Sequence, residues 1–249
     1  MKPTTENTCI IIPAFNEEES IGALLDEIKR DAPWYPVVVI SDGSHDRTAE
    51  VAGKHGAKVL DLPCNIGVGG AVQAGFSYAF EQGFQYAVRC DGDGQHPPSE
   101  IPHLVDAITE SGADMVIGSR FLNKKSYRST WFRFCGIKGL ALFISLICRN
   151  KVTDPTSGFQ IINRPLLCMF SRFYPTDYPE PEALAFIRRQ GYSFSEVAVV
   201  FRERQAGQST IRTWGTFYYL FKVFLALLVD RARPIDHHYS RKSLEYLLS

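Results

Sequence analysis

The sequence predicts an α/β fold in which helices cover both faces of a mostly parallel β-sheet. Short runs of apolar residues alternate along the chain with longer segments whose apolar residues recur at helical spacing. Strands that are apolar along their whole length are typical of parallel sheets, because these sheets are buried on both faces. A chain of 249 residues that is 45% hydrophobic is also large enough to bury such a sheet.

The first two strands are predicted from apolar runs that end abruptly. Cys9–Ile12 is closed by Pro13, which cannot donate a hydrogen bond within a sheet. Val37–Ile40 consists entirely of β-branched residues, which favour strands. Each run leads into a helix, predicted over Ser20–Ile28 and Thr48–His55. The first part of the chain therefore predicts two consecutive βα units.

Three further strands are predicted downstream. Lys58–Leu60 leads through a glycine-rich loop into a helix over Ala71–Glu81. Gln85–Arg89 precedes a helix over Ser99–Glu110, and Met115–Gly118 is the fifth strand. In sheets of this kind, ligands bind beyond the carboxyl ends of the strands. Candidate functional residues are therefore sought where the predicted strands end.

An acidic segment follows the fourth strand. Residues 91–98 read DGDGQHPP, so that Asp91 and Asp93 stand two positions apart. On a regular strand the two side chains would face opposite sides of the sheet, but the intervening glycines allow both to turn toward one point. Carboxylate oxygens and the amide oxygen of Gln95 are ligands that Mg²⁺ or Mn²⁺ prefers. The segment predicts a site for a metal and a diphosphate, although two Asp-Gly turns of a hairpin would use the same residues.

Two other polar segments follow predicted strands. Residues 13–17 follow the first strand, and residues 41–46 follow the second. Because these strands are predicted to be parallel, all three polar segments should meet at one edge of the sheet, which favours a binding site over scattered turns.

The glycine-rich loop at residues 67–70 is a candidate for dinucleotide binding. Its third glycine is missing, because position 72 is Val72, and the loop follows the third strand rather than the first. We therefore expect a tight helix entry at this loop.

Charge and cysteine use exclude some classes of protein. The chain has 27 basic and 27 acidic residues, whereas a dedicated nucleic-acid binder is expected to carry a basic excess. Residues 115–153 contain no acidic residue and should attract anions. The six cysteines lack metal-binding spacing, and the polar segment 1–8 is not a signal peptide. These features predict a cytoplasmic protein with reduced thiols.

Seven motifs occur in order along the chain: IIPAFNEE, DGSHDRT, NIGVGGAVQAGF, DGDGQHPP, IGSRF, DPTSGF and RERQAGQS. Together, from about Thr8 to Ile211, they resemble family 2 glycosyltransferases of the GT-A fold, and in particular the polyprenyl-phosphate sugar transferases related to dolichol-phosphate mannose synthase. The resemblance implies a Rossmann-like sheet and the inverting, metal-dependent transfer of a hexose from a nucleotide sugar to polyprenyl phosphate. UDP-hexose is the expected donor, and GDP-mannose is the second candidate.

The resemblance also implies roles for individual residues. Those expected to line the nucleotide pocket are Pro13, Phe15, Glu17 and Asp42. Those expected to hold Mg²⁺ or Mn²⁺ on the donor diphosphate are Asp91, Asp93 and Gln95. Those expected to meet the phosphates of donor and acceptor are Arg120, Arg133 and Arg204, with Ser209 closing the loop of Arg204. Ser41 stands where many relatives have an acidic residue, which leaves the choice of uridine or guanosine open.

The acceptor is less well defined by the sequence. A lipid phosphate is already anionic and needs little help from a general base. Residues 178–182 add two carboxylates, Glu180 and Glu182, which either cap the following helix or deprotonate a hydroxyl. An alternative function is therefore transfer to a sugar hydroxyl of a lipid-linked or cell-surface glycan. A further alternative is a non-catalytic adaptor that binds nucleotide sugars at the membrane.

The C-terminal part of the chain predicts membrane association. Trp214–Val229 is almost wholly apolar. A helix of this segment would be about 24 Å long, which is shorter than a bilayer-spanning helix of roughly 20 residues. We expect a GT-A domain over residues 1–210 and a membrane-associating helix and tail over 211–249, peripheral on the inner face of the cell membrane. Cys135–Cys148 offers a second apolar surface. Burial against the domain or in a homo-oligomer is the alternative for both segments.

Overall fold

The computed structural model describes residues 2–122, 131–202, 222–229 and 239–248, without the side chains of 131–135 and 245–248. Its strands are β1 (Thr8–Ala14), β2 (Val37–Ser41), β3 (Lys58–Asp61), β4 (Tyr86–Arg89), β5 (Met115–Ser119), β6 (Gln160–Asn163) and β7 (Phe194–Ala198). Its helices are α1 (Ile21–Asp31), α2 (Thr48–Lys54), α3 (Gly67–Glu81), α4 (Ile101–Ser111), α5 (Trp131–Cys148), α6 (Arg164–Arg172), α7 (Pro179–Arg189), α8 (222–229) and α9 (Arg241–Leu248).

The seven strands form one mixed sheet in the order β3-β2-β1-β4-β6-β5-β7. The paired strands are parallel except at β6, which is antiparallel to both of its neighbours, β4 and β5. The predicted mostly parallel sheet is therefore confirmed. The carboxyl ends of β1, β2 and β4, which are adjacent in the sheet, lie at the same edge.

Apolar side chains of β1 alternate between the two faces of the sheet. Ile10 and Ile12 pack in the core that α1, α2 and α4 cover. Ile11 packs in the core on the other face, together with Phe76 of α3 and Phe170 of α6. This alternation follows from the two-residue period of a strand, and it buries β1 on both faces as the sequence predicts.

The five predicted strands correspond to β1–β5, whereas β6 and β7 lie outside the sequence prediction. β6 has only four residues, with two consecutive isoleucines as its apolar part. β7 places Ser195 and Glu196 between apolar residues. Both segments are too short and too mixed in composition to show a clear strand period.

The glycine-rich loop forms the entry of α3, as predicted. α3 begins at Gly67, whose φ of +83° lies in the left-handed region that favours glycine. A Cβ atom at Gly69 would lie 2.5 Å from the carbonyl oxygen of Pro175. The first turn of α3 therefore packs directly against the backbone of the segment before α7, and glycine is required for this close approach.

The described part of the C-terminal region packs against the same core as α3 and α6. Val223 and Leu227 of α8 and Leu244 of α9 are buried there. The predicted domain boundary at 210/211 lies outside the described residues and stays a prediction. Among the helices that the structure describes, none is long and apolar enough to cross a bilayer.

Candidate active site

Hydrogen bonds join the segments that follow β1, β2 and β4. The backbone N–H of His45 donates to Asn16 Oδ1 at 2.9 Å, which links the second segment to the first. Ser20 Oγ lies 2.7 Å from Glu17 Oε2 and 2.9 Å from the carbonyl oxygen of Gly92, which links the first segment to the acidic loop. The three polar segments therefore meet at one edge of the sheet, as predicted.

The residues expected to line the nucleotide pocket lie at this edge. Pro13 is buried at the end of β1, and the side chain of Phe15 is exposed. Asp42 is buried, and its Oδ1 accepts a hydrogen bond from the backbone N–H of Ile66 at 2.8 Å. Ser41 Oγ is buried in β2 and has no hydrogen-bond partner among the described residues. Of these residues, Ser41 is therefore shielded from solvent and Phe15 is accessible.

The acidic loop is closed by hydrogen bonds between its own residues. The backbone N–H of Gln95 donates to Asp93 Oδ1 at 3.0 Å, and the backbone N–H of Asp91 donates to His96 Nδ1 at 3.0 Å. Gly94 has a φ of +74°, a conformation that costs glycine little. These contacts hold Asp91 and Asp93 in one compact turn.

His96 supports this loop from inside the protein. Its ring is buried, stacks on Phe159 with centroids 5.0 Å apart, and meets Phe201 edge-on at 4.9 Å. Burial lowers the pKa of His96, although the charges of Asp91 and Asp93 oppose the shift. The neutral imidazole therefore accepts the hydrogen bond from Asp91 at Nδ1, so that His96 orients the loop.

Beneath the acidic loop lies Arg89, a residue that the sequence analysis does not single out. Its side chain is 2% exposed, with Nε 3.1 Å from Asp91 Oδ1 and Nη1 2.9 Å from Glu180 Oε1. Burial disfavours its charge, but Asp91 and Glu180 more than offset this and raise the pKa of Arg89. The sequence does contain a signal for Arg89, because a charged residue at the end of an apolar strand, just before an acidic motif, indicates a buried ion pair.

Glu180 and Glu182 both lie in the first turn of α7. Negative charge is favoured there by the helix dipole, which agrees with the helix-capping alternative. Because Glu180 is also paired with Arg89, its carboxylate is already engaged by a cation. The general-base role of Glu182 stays a prediction.

The donor set of the acidic loop fits a hard divalent cation. Asp91, Asp93 and Gln95 offer carboxylate and amide oxygens, which suit Mg²⁺ or Mn²⁺. In the part of the chain that the structure describes, no three His, Cys, Asp or Glu side chains are grouped so that they could hold a metal. Two carboxylates fit a cation whose remaining positions are filled by diphosphate oxygens and water, as is usual for Mg²⁺.

Arg120 forms a two-pronged ion pair. Its Nε and Nη2 each lie 2.7 Å from an oxygen of Asp154, which is fully buried. The sequence does not predict this ion pair, because Asp154 lies 34 residues after Arg120. Asp154 therefore fixes the orientation of Arg120, while contact between Arg120 and a phosphate stays a prediction.

Three predicted phosphate-binding residues are not located by the described side chains. Arg133 lies in α5, but its side chain is not described, and Arg204 and Ser209 lie outside the described residues. Arg202, two residues before Arg204, contacts the acidic loop, because its backbone N–H donates to the carbonyl oxygen of Gln95 at 3.1 Å.

Comparison with known proteins identifies the class to which this fold and site belong. Residues 9–170 match the sequence profile described as Glycosyl transferase family 2. The match spans more than half of the chain, which therefore belongs to this family and is a glycosyltransferase of the GT-A fold.

Two relatives and one solved structure extend the comparison. The chain is 28% identical to the polyprenol monophosphomannose synthase of Mycolicibacterium smegmatis, over 93% of this chain and 92% of the relative. It is 31% identical to the undecaprenyl-phosphate mannosyltransferase of Micrococcus luteus, over 83% and 82%. Glucosyl-3-phosphoglycerate synthase from Mycobacterium tuberculosis, solved with Mn²⁺, UDP-glucose and phosphoglyceric acid, superimposes with a TM-score of 0.69 at 21% identity, covering 92% of this chain and 80% of that chain.

The Arg120–Asp154 pair should show strong energetic coupling. Asp154→Asn leaves Arg120 without its buried counter-charge, and we expect it to lower the free energy of unfolding by about 3 kcal/mol. The double variant with Arg120→Gln should lose less than the sum of the single losses, with a coupling of about 1–3 kcal/mol measured by urea denaturation. The surface pair Arg30–Asp31 is the control, and its coupling should be much weaker because solvent screens the two charges. Additive losses at Arg120 and Asp154 would contradict the pairing.

Proposed function

We propose that this glycosyltransferase moves a hexose from a nucleotide diphosphate sugar to polyprenyl phosphate, with inversion and with Mg²⁺ or Mn²⁺ as cofactor. The observation that supports the proposal most is the meeting of the acidic loop with the segments after β1 and β2. This arrangement supports the assignment of Asp91 and Asp93 to a cation and of the neighbouring segments to the nucleotide. Two relatives that cover most of the chain are a polyprenol monophosphomannose synthase and an undecaprenyl-phosphate mannosyltransferase. UDP-hexose is the first proposed donor and GDP-mannose the second.

On the donor side, the residues of the chain bind and orient. Pro13, Phe15, Glu17 and Asp42 line the nucleotide pocket, and Asp91, Asp93 and Gln95 bind the cation. A bound divalent cation would neutralise the charge that develops on the leaving diphosphate. The backbone N–H of Gln95 holds the Asp93 carboxylate and Arg89 Nε holds that of Asp91 before the donor binds, so little reorganisation is needed.

On the acceptor side, a phosphate monoester brings its own negative charge. It therefore attacks without a general base, and its main requirement is a set of cations that bind it. Arg120, Arg133 and Arg204 are the proposed cations, because guanidinium groups bind phosphate oxygens in two-pronged fashion. The engagement of Glu180 by Arg89 also favours a phosphate acceptor over a hydroxyl acceptor.

We also propose that the protein is peripheral on the cytoplasmic face of the membrane. Leu142 and Leu146 of α5 are 65% and 69% exposed, one helical turn apart. α8 packs beside α5 through Phe143 and Phe224, whose ring centroids are 4.1 Å apart. The exposed apolar residues that α8 adds are Phe224, Leu225, Leu228 and Val229. We call these six exposed residues of α5 and α8 the apolar patch.

The surface beside the apolar patch is basic. A groove of about 500 Å³ next to α5 is lined by Lys138, Arg149 and Lys151 together with Leu142 and Leu146. A surface that combines apolar residues with cations suits the interface of an anionic bilayer. The same surface would lie near the carrier lipid of the acceptor.

Asp93→Asn should abolish metal-dependent transfer. The substitution keeps the shape of the side chain but removes a charged ligand of the proposed cation, and we expect a loss in kcat of about 100- to 1,000-fold. Transfer from labelled UDP-hexose and GDP-mannose to polyprenyl phosphate is measured with Mn²⁺, and thermal shift by Mn²⁺ and nucleotide is measured in parallel. Asp106→Asn, on the exposed face of α4, is the control and should change neither quantity. Full activity of Asp93→Asn would refute the metal site.

Glu182→Gln separates the two acceptor classes. If the acceptor is polyprenyl phosphate, no base is needed, and activity should stay within about threefold of the wild type. If the acceptor is a glycan hydroxyl and Glu182 is the base, a loss of about 100-fold or more is expected. Both acceptors are offered in the assay, and the exposed Glu110→Gln of α4 is the control. Efficient transfer to the glycan alone, with loss in Glu182→Gln, would overturn the phosphate-acceptor proposal.

Vesicle binding tests the apolar patch. The double variant Leu142→Glu and Leu146→Glu should bind vesicles of phosphatidylglycerol and phosphatidylethanolamine more than about tenfold more weakly, because two leucines can no longer enter the interface. Trp34→Glu is the control, because Trp34 is an exposed apolar residue that lies just before β2 and is not part of the apolar patch. Unchanged vesicle binding, combined with the loss of a dimer in solution, would instead assign the patch to self-association.

A further inference from the structure

Arg89 lies between two elements that are far apart in sequence. It ends β4, and its guanidinium contacts Asp91 in the acidic loop and Glu180 at the start of α7. The arginine side chain is almost fully buried, but those of Asp91 and Glu180 are 32% and 18% exposed. The ion-paired group therefore extends from the interior of the protein to the surface of the site.

The guanidinium is enclosed on several sides. Nε faces Asp91, and Nη1 faces Glu180 and lies 3.4 Å from the hydroxyl of Tyr174. Nη2 packs against Gly158, where a Cβ atom would lie only 2.8 Å from Nη2 and 3.1 Å from Asp91 Oδ2. Gly158 of the DPTSGF motif thus leaves the space that the guanidinium and the Asp91 carboxylate occupy together.

Charge balance gives this arrangement a consequence for metal binding. One guanidinium is shared by two carboxylates, so it reduces the negative charge near Asp91 and Asp93. A divalent cation is attracted less strongly to these acids than it would be without the guanidinium. At the same time, the hydrogen bond from Nε fixes the direction of the Asp91 carboxylate.

We propose that Arg89 is a positioning residue that aims Asp91 at the cation and makes cation binding depend on the donor diphosphate. This inference rests on the proposed function, since it assigns Asp91 to the metal. With Arg89 present, the acids alone hold the cation weakly, and diphosphate oxygens complete its binding. Glu180 serves as the second counter-charge, which links α7 to the acidic loop.

The test compares Arg89→Gln with the wild type in two measurements. Mn²⁺ affinity is measured by electron paramagnetic resonance of free Mn²⁺, with and without UDP, and kcat is measured with the donor that the wild type uses. We expect Arg89→Gln to bind Mn²⁺ at least about tenfold more tightly without UDP, because a positive charge near the acids is lost. We expect its kcat to fall by about 100-fold, because Asp91 then holds the more tightly bound cation out of the geometry that the donor diphosphate requires. General structural damage would weaken both properties.

Companion variants keep the test decisive. Arg89→Lys keeps the charge, so its Mn²⁺ affinity without UDP should stay near that of the wild type. Arg164→Gln removes a half-buried arginine that donates to the carbonyl oxygen of Phe84 at 2.8 Å, and it should change neither measurement. If Arg89→Gln does not fold, Gly158→Ala serves in its place, since it displaces the guanidinium while keeping every charge, and only the fall in kcat is then expected.

Two results would overturn the inference. The first is that Arg89→Gln has the same ratio of Mn²⁺ affinities with and without UDP as the wild type. The second is that the variant measured, Arg89→Gln or Gly158→Ala, keeps the kcat of the wild type. Because Mn²⁺ binding is measured without turnover, these outcomes are distinct from failure of the proposed function. Absence of sugar transfer by the wild type with every donor would count against the proposed function instead.

Discussion

The segments that follow β1 and β2 satisfy each other's backbone donors, and the candidate site depends on this mutual hydrogen bonding. The N–H of Glu17 donates to Thr48 Oγ1 at 2.8 Å, and the N–H of Arg47 donates to Glu18 Oε2 at 3.0 Å. Parallel strands cannot be joined by tight turns, so their ends are followed by longer connections that are available for binding. Here the connections support one another, and Asp42 and the acidic loop are held against a common rigid surface.

Below this surface, buried cations are matched to acids from other elements. Arg120 is held by Asp154, and the backbone N–H of Asp154 donates in turn to Glu196 at 2.9 Å. Burial raises the pKa of Glu196, although hydrogen bonds from residues 153 and 154 oppose the shift. A buried ion is costly unless it is paired and hydrogen-bonded, so each pair constrains the geometry of the acids it contains. Arg89 therefore orients carboxylates that reach the site surface, and Asp154 orients the side chain of Arg120.

The sequence predicts the strands and helices that have a clear period, and it predicts the functional edge of the sheet. β1 to β5 are read from apolar runs, and the position of Asp91 and Asp93 follows from the end of β4. The pairs Arg89–Glu180 and Arg120–Asp154 are not predictable in this way, because each joins residues that only the fold brings together. β6 is missed because it is short, yet it lies between β4 and β5, and Gly158, two residues before it, packs against Arg89.

The basic residues between 115 and 153 are close in sequence, but the fold gives them different surroundings. Arg120 forms an ion pair with Asp154, the first acidic residue after the segment. Lys138, Arg149 and Lys151 instead line the groove beside the apolar patch. The described cations of the segment are therefore divided between an internal ion pair at Arg120 and residues that line an open groove. A lipid with an anionic head group and an apolar chain matches both parts of that surface, so the charge pattern and the exposed leucines of α5 favour the same acceptor class.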